Sequence, residues 1–254
     1  MAATLLSVGE LEASKHHFEV ALAAYDEEHP QRSALGSDLG VFTNAWCSHT
    51  LWLLGDDNAA LAHAERAIAL AQRRDHQYSQ ALALAYAALL HQMRLDRESV
   101  RSCAEAVVSL CDRYGFAYYG DWARALLGWT LGQEQRAEGA VMIESALERL
   151  DRQRAQARRP YYLSLLADTY NRLGDRARAT SIVNAATAMA LDRGDTWWLP
   201  ALYLQQGELE PTPVGESTLR RALALARVQN SRALERRILA SPAARSIREA
   251  VPPS

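Results

Sequence analysis

The stretch Ala59–Leu70, AALAHAERAIAL, carries the clearest structural signal in this chain. Its apolar residues recur at three- and four-residue spacing, which places one set on a single helix face: Ala60, Ala64, Ala67 and Ile68. The intervening residues, mainly Ala, Leu, Glu and Arg, are strong helix formers. Similar segments follow one another along the sequence, and no alternating strand pattern persists beyond a few residues. We therefore predict an all-α protein.

Short polar or glycine-containing breaks separate the predicted helices. They are Leu54-Gly55-Asp56-Asp57, Arg94-Leu95-Asp96, Gly132-Gln133-Glu134 and Leu173-Gly174-Asp175. Each break joins a residue suited to end one helix with an acidic or polar residue suited to begin the next. Because the breaks are short, consecutive helices are expected to pack against each other as hairpins.

Composition excludes several classes of protein. The 254 residues are 49% apolar and 23% charged, which is enough apolar chain for a sizeable core. The longest uninterrupted apolar run, Ala81–Leu90, is ten residues long, and a membrane span needs roughly 20. A net charge of −2 gives no basic surplus for direct nucleic-acid binding.

The chain is expected to be cytoplasmic and of bacterial origin. No basic region precedes the weak apolar stretch at the N-terminus, so no secretory signal is evident. Three cysteines, Cys47, Cys103 and Cys111, fit a reducing compartment. Lys15 is the only lysine, and together with abundant Ala and Leu this indicates a GC-rich coding sequence.

Small residues recur at a regular interval. The sets are Ser48, Ala60 and Ala67, then Ala87, Ser99 and Ala106, then Leu127 with Gly128, Gly139 and Ala146, and finally Ala167, Ala179 and Ala186. Their last members are separated by 39, 40 and 40 residues. Small side chains allow two helices to approach closely, so Ala67, Ala106 and Ala186 are predicted to be buried at helix crossings.

Two of the breaks resemble the turn and alanine portion of the tetratricopeptide repeat (TPR). They are Leu173-Gly174-Asp175-Arg176-Ala177-Arg178-Ala179 and Leu54-Gly55-Asp56-Asp57-Asn58-Ala59-Ala60. The period of 39–40 residues exceeds the usual TPR period of about 34. The resemblance implies a right-handed α-solenoid of helix hairpins.

Four further segments are similar to the C-terminal TPR arm of bacterial signalling proteins. They are Leu51-Trp52-Leu53-Leu54-Gly55, Gly128-Trp129-Thr130-Leu131, Arg159-Pro160-Tyr161-Tyr162-Leu163, and Leu202-Tyr203 through Gly207-Glu208-Leu209. The proteins of this kind are AAA-type ATPases, adenylate–guanylate cyclases or LuxR-type regulators. The resemblance covers roughly residues 5–235 and implies a regulatory or sensory arm, or a remnant of one.

The register divides a single domain over 1–254 into repeats. The predicted units are a partial repeat over 1–28, repeats over 38–74, 78–113, 118–157, 160–193 and 196–229, and a capping helix over 231–249. A helix from about residue 11 to 25 has only about eight residues before it, so the chain is expected to begin inside a repeat. The apolar side around Phe18, Val20, Ala21 and Leu22 is then expected to be partly uncovered, which predicts self-association through this N-terminal hairpin.

No catalytic or metal-binding constellation is evident. Gly115 and Gly120 have the separation found in a P-loop, but Asp121 stands where that motif requires lysine. The seven histidines show no zinc-site spacing. The chain is expected to be neither an enzyme nor a holder of a cofactor or metal.

The TPR resemblance implies that the first helix of each hairpin lines a concave groove. Projecting the register onto those helices gives these groove candidates: His49, Trp52, His91, Gln92, Asp121, Arg124, Tyr161, Asp168, Asn171 and Arg172. Their mixed charge favours a protein or peptide partner that is neither strongly acidic nor strongly basic. The alternative is a small-molecule-sensing regulatory domain. Aromatic clusters at the helix starts either line this groove or join one repeat to the next.

Overall fold

The computed structural model describes residues 1–32, 36–210, 212–245 and 247. The α-helices in these ranges are α1 (Ala2–Ser7), α2 (Leu11–Ala23), α3 (Leu39–Leu54), α4 (Asp57–Arg73), α5 (Gln77–Met93), α6 (Arg97–Tyr114), α7 (Ala117–Gln133), α8 (Glu138–Arg152), α9 (Arg159–Arg172), α10 (Arg176–Arg193), α11 (Leu199–Leu209), α12 (Val214–Val228) and α13 (Arg232–Ala240). A 3₁₀ turn follows over Pro242–Ala244. The described residues contain no strand, which confirms the predicted all-α class. None of their helices has the length and apolar content needed to cross a bilayer.

Consecutive helices pack as hairpins. The pairs are α3 with α4, α5 with α6, α7 with α8, α9 with α10, and α11 with α12. The first helices of these pairs also contact one another in order, from α3 to α5, α7, α9 and α11. We call these five first helices the inner helices. An array of neighbouring hairpins of this kind is repeat-like and fits an α-solenoid.

Aspartate side chains begin several of these helices. Asp38, Asp56, Asp96 and Asp175 each accept a hydrogen bond from the backbone N–H three residues later, at 3.0 to 3.2 Å. Gly55 ends α3 with φ of +94°, a conformation in which glycine carries no steric penalty. The sequence predicted Gly55 and the caps at Asp56, Asp96 and Asp175, because caps depend on residues that are close together in the chain.

The inner and outer helices differ in how much of their surface is buried. In α5 every residue from Ala85 to Leu90 is buried, as expected of a helix with protein on all sides. The outer helices bury one stripe at spacings of four, three and four residues. The stripes are Ala60, Ala64, Ala67 and Ala71, then Val100, Ala104, Val107 and Cys111, then Gly139, Ile143, Ala146 and Leu150, then Ala179, Val183, Ala186 and Ala190, and finally Gly215, Leu219, Ala222 and Ala226.

One predicted crossing residue is wrong. Ala67 and Ala186 are fully buried, as expected, but Ala106 is exposed on the outer face of α6. Val107 is buried in its place. Alanine is favoured at buried and exposed helix positions alike because of its helix propensity. A register assigned from small residues alone was therefore one residue too early in this repeat.

Two hairpins bring helix backbones into direct contact through glycine. A Cβ atom added at Gly128 would lie 2.7 Å from the carbonyl oxygen of Gly139, and one added at Gly139 would lie 2.5 Å from that of Gly128. Gly207 and Gly215 have the same relation, at 2.9 and 2.5 Å. These distances are too short for any side chain, so both crossings require glycine on both helices.

The N-terminal segment contacts the turn before α11. The backbone N–H groups of Thr196 and Trp197 donate to the carbonyl oxygen of Ser7 at 2.8 and 3.2 Å. The Thr196 hydroxyl also donates to the Val8 carbonyl at 2.8 Å. On the other side, α13 packs against α3 and α11 as well as α12. The array of hairpins is therefore closed by contacts between its first and last elements.

Both terminal segments differ from their predictions. Instead of a solvent-facing cap over 231–249, α13 ends at Ala240 and buries Leu234 and Ile238. Residues 246, 248 and 249 of the predicted cap lie outside the described part of the chain.

At the other end, α1 covers α2, and Phe18 is only 2% exposed. Val20 is 52% exposed. Self-association through this hairpin stays a prediction.

The observed register predicts that two alanine substitutions differ in their effect on stability. Ala186→Leu should lower the free energy of unfolding by about 1–3 kcal/mol, because the added carbons overpack a fully buried crossing and displace its neighbours. The matched Ala106→Leu on the exposed face of α6 should change it by no more than about 0.5 kcal/mol. Urea denaturation of both variants measures the difference, and equal losses would contradict this register.

Candidate ligand-binding site

Aromatic rings from α3, α5, α7 and α9 and from the residues just before α11 form one continuous cluster. We call it the aromatic core, and it consists of Trp46, Tyr86, Trp122, Tyr161, Tyr162, Trp197 and Trp198. Successive ring centroids lie 5.1 to 5.6 Å apart, within the range of favourable aromatic contacts. The rings therefore join neighbouring hairpins, which was one of the two alternatives left open by the sequence.

Several predicted groove residues are buried and have internal partners. His49 Nε2 donates to the Tyr86 carbonyl oxygen at 2.8 Å, and the Tyr161 hydroxyl donates to Gln92 Oε1 at 2.7 Å. Asp121 accepts from Arg149 Nε at 2.6 Å. His49, Asp121 and Tyr161 are at most 2% exposed. His49 and Tyr161 therefore lie in the packed interior, whereas Asp121 borders an open cleft, and the role of all three in contacting a partner stays a prediction.

Two further predicted residues lie away from the concave side that was expected. Arg124 pairs with Asp112 and borders an open cleft of about 650 Å³ between α6, α7 and α8. Its partner Asp121 is also paired with Arg149 there, so the charges in this cleft are largely balanced. His91, near the end of α5, lies 3.6 Å from an Asp96 carboxylate oxygen.

A second cavity brings other predicted residues together. We call it the Asp168 cavity; its volume is about 330 Å³. Its principal lining residues are Gln92, Trp129, Asp168, Arg172, Trp198, Gln205, Glu208 and Arg237, which come from α5, α7, α9, α11, the turn before α11, and α13. Asn171 borders a small depression beside it. Gln92, Asp168 and Arg172 were predicted as groove residues, and Asn171 lies next to them.

Asp168 is held in place by three neighbours. Its Oδ2 atom accepts hydrogen bonds from Trp129 Nε1 at 3.1 Å and from Gln133 Nε2 at 2.7 Å. Its Oδ1 atom lies 3.2 Å from Arg172 Nε. The carboxylate therefore fixes the position of the Trp129 ring, and its charge is balanced locally by Arg172.

The other side of the cavity offers hydrogen-bond acceptors. Gln205 donates from Nε2 to the Ser164 carbonyl at 3.0 Å, while its Oε1 atom is buried without a partner among the described residues. Glu208 accepts from the Ser241 hydroxyl at 2.7 Å. Partial removal from water raises the pKa of the Glu208 carboxyl. The cavity thus suits a ligand that donates hydrogen bonds.

The C-terminal helix closes one side of the cavity with a cation. The guanidinium carbon of Arg237 lies 5.3 Å from the centroid of the Trp52 ring and 5.8 Å from that of Trp198. The guanidinium donates to the carbonyl oxygen of Met93 at the end of α5. Burial lowers the pKa of Arg237 to about 10, so the group is charged at neutral pH. Trp52, a predicted groove residue, is therefore covered by α13.

Sequence reasoning missed Gln205, Glu208 and Arg237 as cavity residues. Gln205 and Glu208 follow Trp198 at a spacing of seven and three residues, which places the three on one helix face. This spacing was the signal in the sequence that could have identified them. Arg237 could not be placed from sequence, because its position depends on how α13 folds back onto α3.

The cysteines are poor candidates for nucleophiles. Burial raises the pKa of the Cys47 thiol to about 12 and that of Cys111 to about 11, and it also raises the pKa of Cys103. These thiols are protonated at neutral pH, whereas the thiolate is the reactive form. In the described part of the chain, no group of three or more His, Cys, Asp or Glu side chains is arranged to hold a metal ion.

No protein-family model matches this chain, and the search of curated proteins found no match. The fold and the Asp168 cavity are therefore the basis for proposing a function.

The buried histidine makes stability dependent on pH. Burial and the charge of Arg158 hold the pKa of His49 well below 6.5. The unfolded chain therefore takes up a proton near pH 6.5 that the native state excludes, and stability falls as the pH falls below that value. The loss should approach about 1.4 kcal/mol per pH unit for His49. His63, His76 and His91 also have lowered pKa values and contribute in the same direction.

Denaturation between pH 7.5 and 5.5 tests this effect. His49→Gln should weaken the pH dependence, although it is less stable at pH 7.5, whereas His16→Gln at an exposed position should leave the dependence unchanged. A wild-type slope that His49→Gln does not alter would contradict the assignment to His49.

Proposed function

We propose that this chain is a non-catalytic binding domain, a right-handed α-solenoid of TPR-like hairpins with a period of 39–40 residues. Its inner helices begin at residues 39, 77, 117, 159 and 199, which supports a period of this size. In this proposal the chain acts in the bacterial cytoplasm as the regulatory or sensory arm of a signalling protein, or as a remnant of one. Its partner is a protein or peptide.

The observation that supports peptide binding most directly is the Asp168 cavity. The Trp129 and Trp198 rings border it, and the unpartnered Gln205 Oε1 and the Glu208 carboxyl provide acceptors within it. Aromatic rings next to a few convergent polar groups are typical of binding sites. A peptide that places an apolar side chain on the rings and donates hydrogen bonds to Gln205 and Glu208 matches these groups.

A small-molecule ligand is the second candidate for the same cavity. A volume of about 330 Å³ lies at the lower end of the range for small-molecule pockets, roughly 300–1,000 Å³. Such a ligand would give the chain a sensing role. The acceptors at Gln205 and Glu208 favour a ligand with amide, hydroxyl or amino donors in either case.

Selection from a phage-displayed random peptide library tests the peptide proposal. Peptides that bind the wild-type chain should bind Glu208→Gln about tenfold more weakly, because a hydrogen bond to a charged acceptor is replaced by one to a neutral amide. They should bind the exposed outer-face variant Glu98→Gln as tightly as wild type.

The pH dependence of binding provides a further check. The pKa of Glu208 is raised, so its carboxylate is lost as the pH falls through that raised value, and peptide affinity should fall with it. Affinity for Glu208→Gln should depend less on pH. Failure to enrich any peptide, or equal binding by wild type and Glu208→Gln, would contradict peptide binding at this cavity. In the first case, a thermal-shift screen of metabolites tests the small-molecule candidate.

A further inference from the structure

A buried arginine lies inside the aromatic core, at the start of α9. Arg158 precedes the first turn of that helix and has φ of +58°. Its side chain is only 4% exposed. Its guanidinium carbon lies 4.6 Å from the centroid of the Trp46 ring, 4.8 Å from that of Trp197 and 5.4 Å from that of Tyr86. We call Arg158 and these three rings the Arg158 cage.

The guanidinium has no hydrogen-bond partner at its terminal nitrogens. Neither Nη1 nor Nη2 of Arg158 has a partner among the described residues. The hydrogen bonds of a guanidinium lie in its plane, so cation–π contacts with aromatic rings leave its N–H groups unsatisfied. Buried charged donors without acceptors are strongly unfavourable and therefore uncommon.

Other donors in the same cluster are also unpartnered. Trp46 Nε1, Trp122 Nε1 and the Tyr162 hydroxyl are buried without a hydrogen-bond partner in the described structure. The rings of Trp46 and Trp122 both contact that of Tyr86, at 5.2 and 5.3 Å between centroids. His49 Nδ1, the acceptor nitrogen of a ring stacked on Tyr86, is also unpartnered in the described structure, but the unpartnered donors around the positive charge outnumber it, and the acceptor atoms of a ligand would satisfy them.

The nearest acidic group does not supply these acceptors. Burial raises the pKa of Asp195, which lies in the turn between α10 and α11. The positive charge of Arg158 partly offsets this rise. No hydrogen bond or ion pair joins Asp195 to Arg158 in the described part of the chain. The positive charge also contributes to the lowered pKa of His49. The interior near Arg158 is therefore electropositive.

We propose that the Arg158 cage is a binding site for a small organic carboxylate. A carboxylate is planar and accepts two parallel hydrogen bonds from the Nη atoms of an arginine. An attached apolar group would contact Phe42, Trp46 and Tyr118, aromatic residues that remain partly exposed beside the cage. This site shares no residue with the Asp168 cavity, so the inference goes beyond the proposed function.

Titration of the purified full chain with benzoate and benzamide tests the proposal, with tryptophan fluorescence and calorimetry as readouts. The two probes have the same shape and ring, but only benzoate carries the anionic pair of acceptors. Benzoate should bind saturably and at least about tenfold more tightly than benzamide. This comparison uses only the wild-type chain, so it does not depend on whether a variant folds.

Variants then assign binding to the cage. Arg158→Gln should abolish benzoate binding, and Arg158→Lys should weaken it, because lysine keeps the charge but lacks the planar pair of donors. The matched control is Arg154→Gln, since Arg154 lies in the same loop with φ of +55° but is exposed. Arg154→Gln should bind benzoate as wild type does, and circular dichroism should show that all three variants are folded.

Other outcomes would overturn the proposal. Equal binding of benzoate and benzamide, or no saturable binding of either, would mean that buried water satisfies the donors of the cage. Binding of inorganic phosphate without binding of benzoate would show that the site takes a tetrahedral anion and not a carboxylate. Benzoate binding that survives in a folded Arg158→Gln variant would place the site elsewhere.

Discussion

The packing of aromatic rings between the inner helices is the interaction on which the rest of this structure depends. In an open solenoid each repeat contacts only its neighbours. Here the Tyr161 hydroxyl on α9 bonds Gln92 on α5, and the Trp52 ring on α3 lies 6.4 Å from that of Trp198. Large aromatic side chains contribute strongly to core stability, so this cluster links hairpins that are distant in sequence.

Closure of the array has consequences for the interior. Aromatic rings and α13 pack where an open groove was expected, so His49 and Tyr161 are buried in this structure. The Asp168 cavity lies beside this packing, bordered by α5, α7, α9 and α11 and closed on one side by α13. The contact of Arg237 with Trp52 and Met93 determines how much of this side is left open.

The two polar regions of the interior have opposite character. The Asp168 cavity presents the unpartnered acceptor Gln205 Oε1, while the Arg158 cage presents unpartnered donors around a buried positive charge. Polar groups of this kind reduce stability when they are left unsatisfied. A ligand bound at each region would satisfy these unpartnered groups.

The sequence by itself determined the all-α class, most helix boundaries and the aspartate caps, because periodicity and capping depend on residues within one or two turns. It also named Gln92, Asp168 and Arg172 as candidate binding residues through the repeat register, although it did not predict that they share one cavity. It did not fix the register of α6, where Ala106 and Val107 were both plausible crossing residues, since alanine favours helices whether buried or exposed.

Only the tertiary structure decided that α13 folds back onto α3, that Ser7 meets Thr196, and that Arg158 enters the aromatic core. The physical reason is that these contacts join residues tens to nearly two hundred positions apart. They depend on the curvature accumulated over five hairpins, and no local pattern in the sequence encodes that curvature.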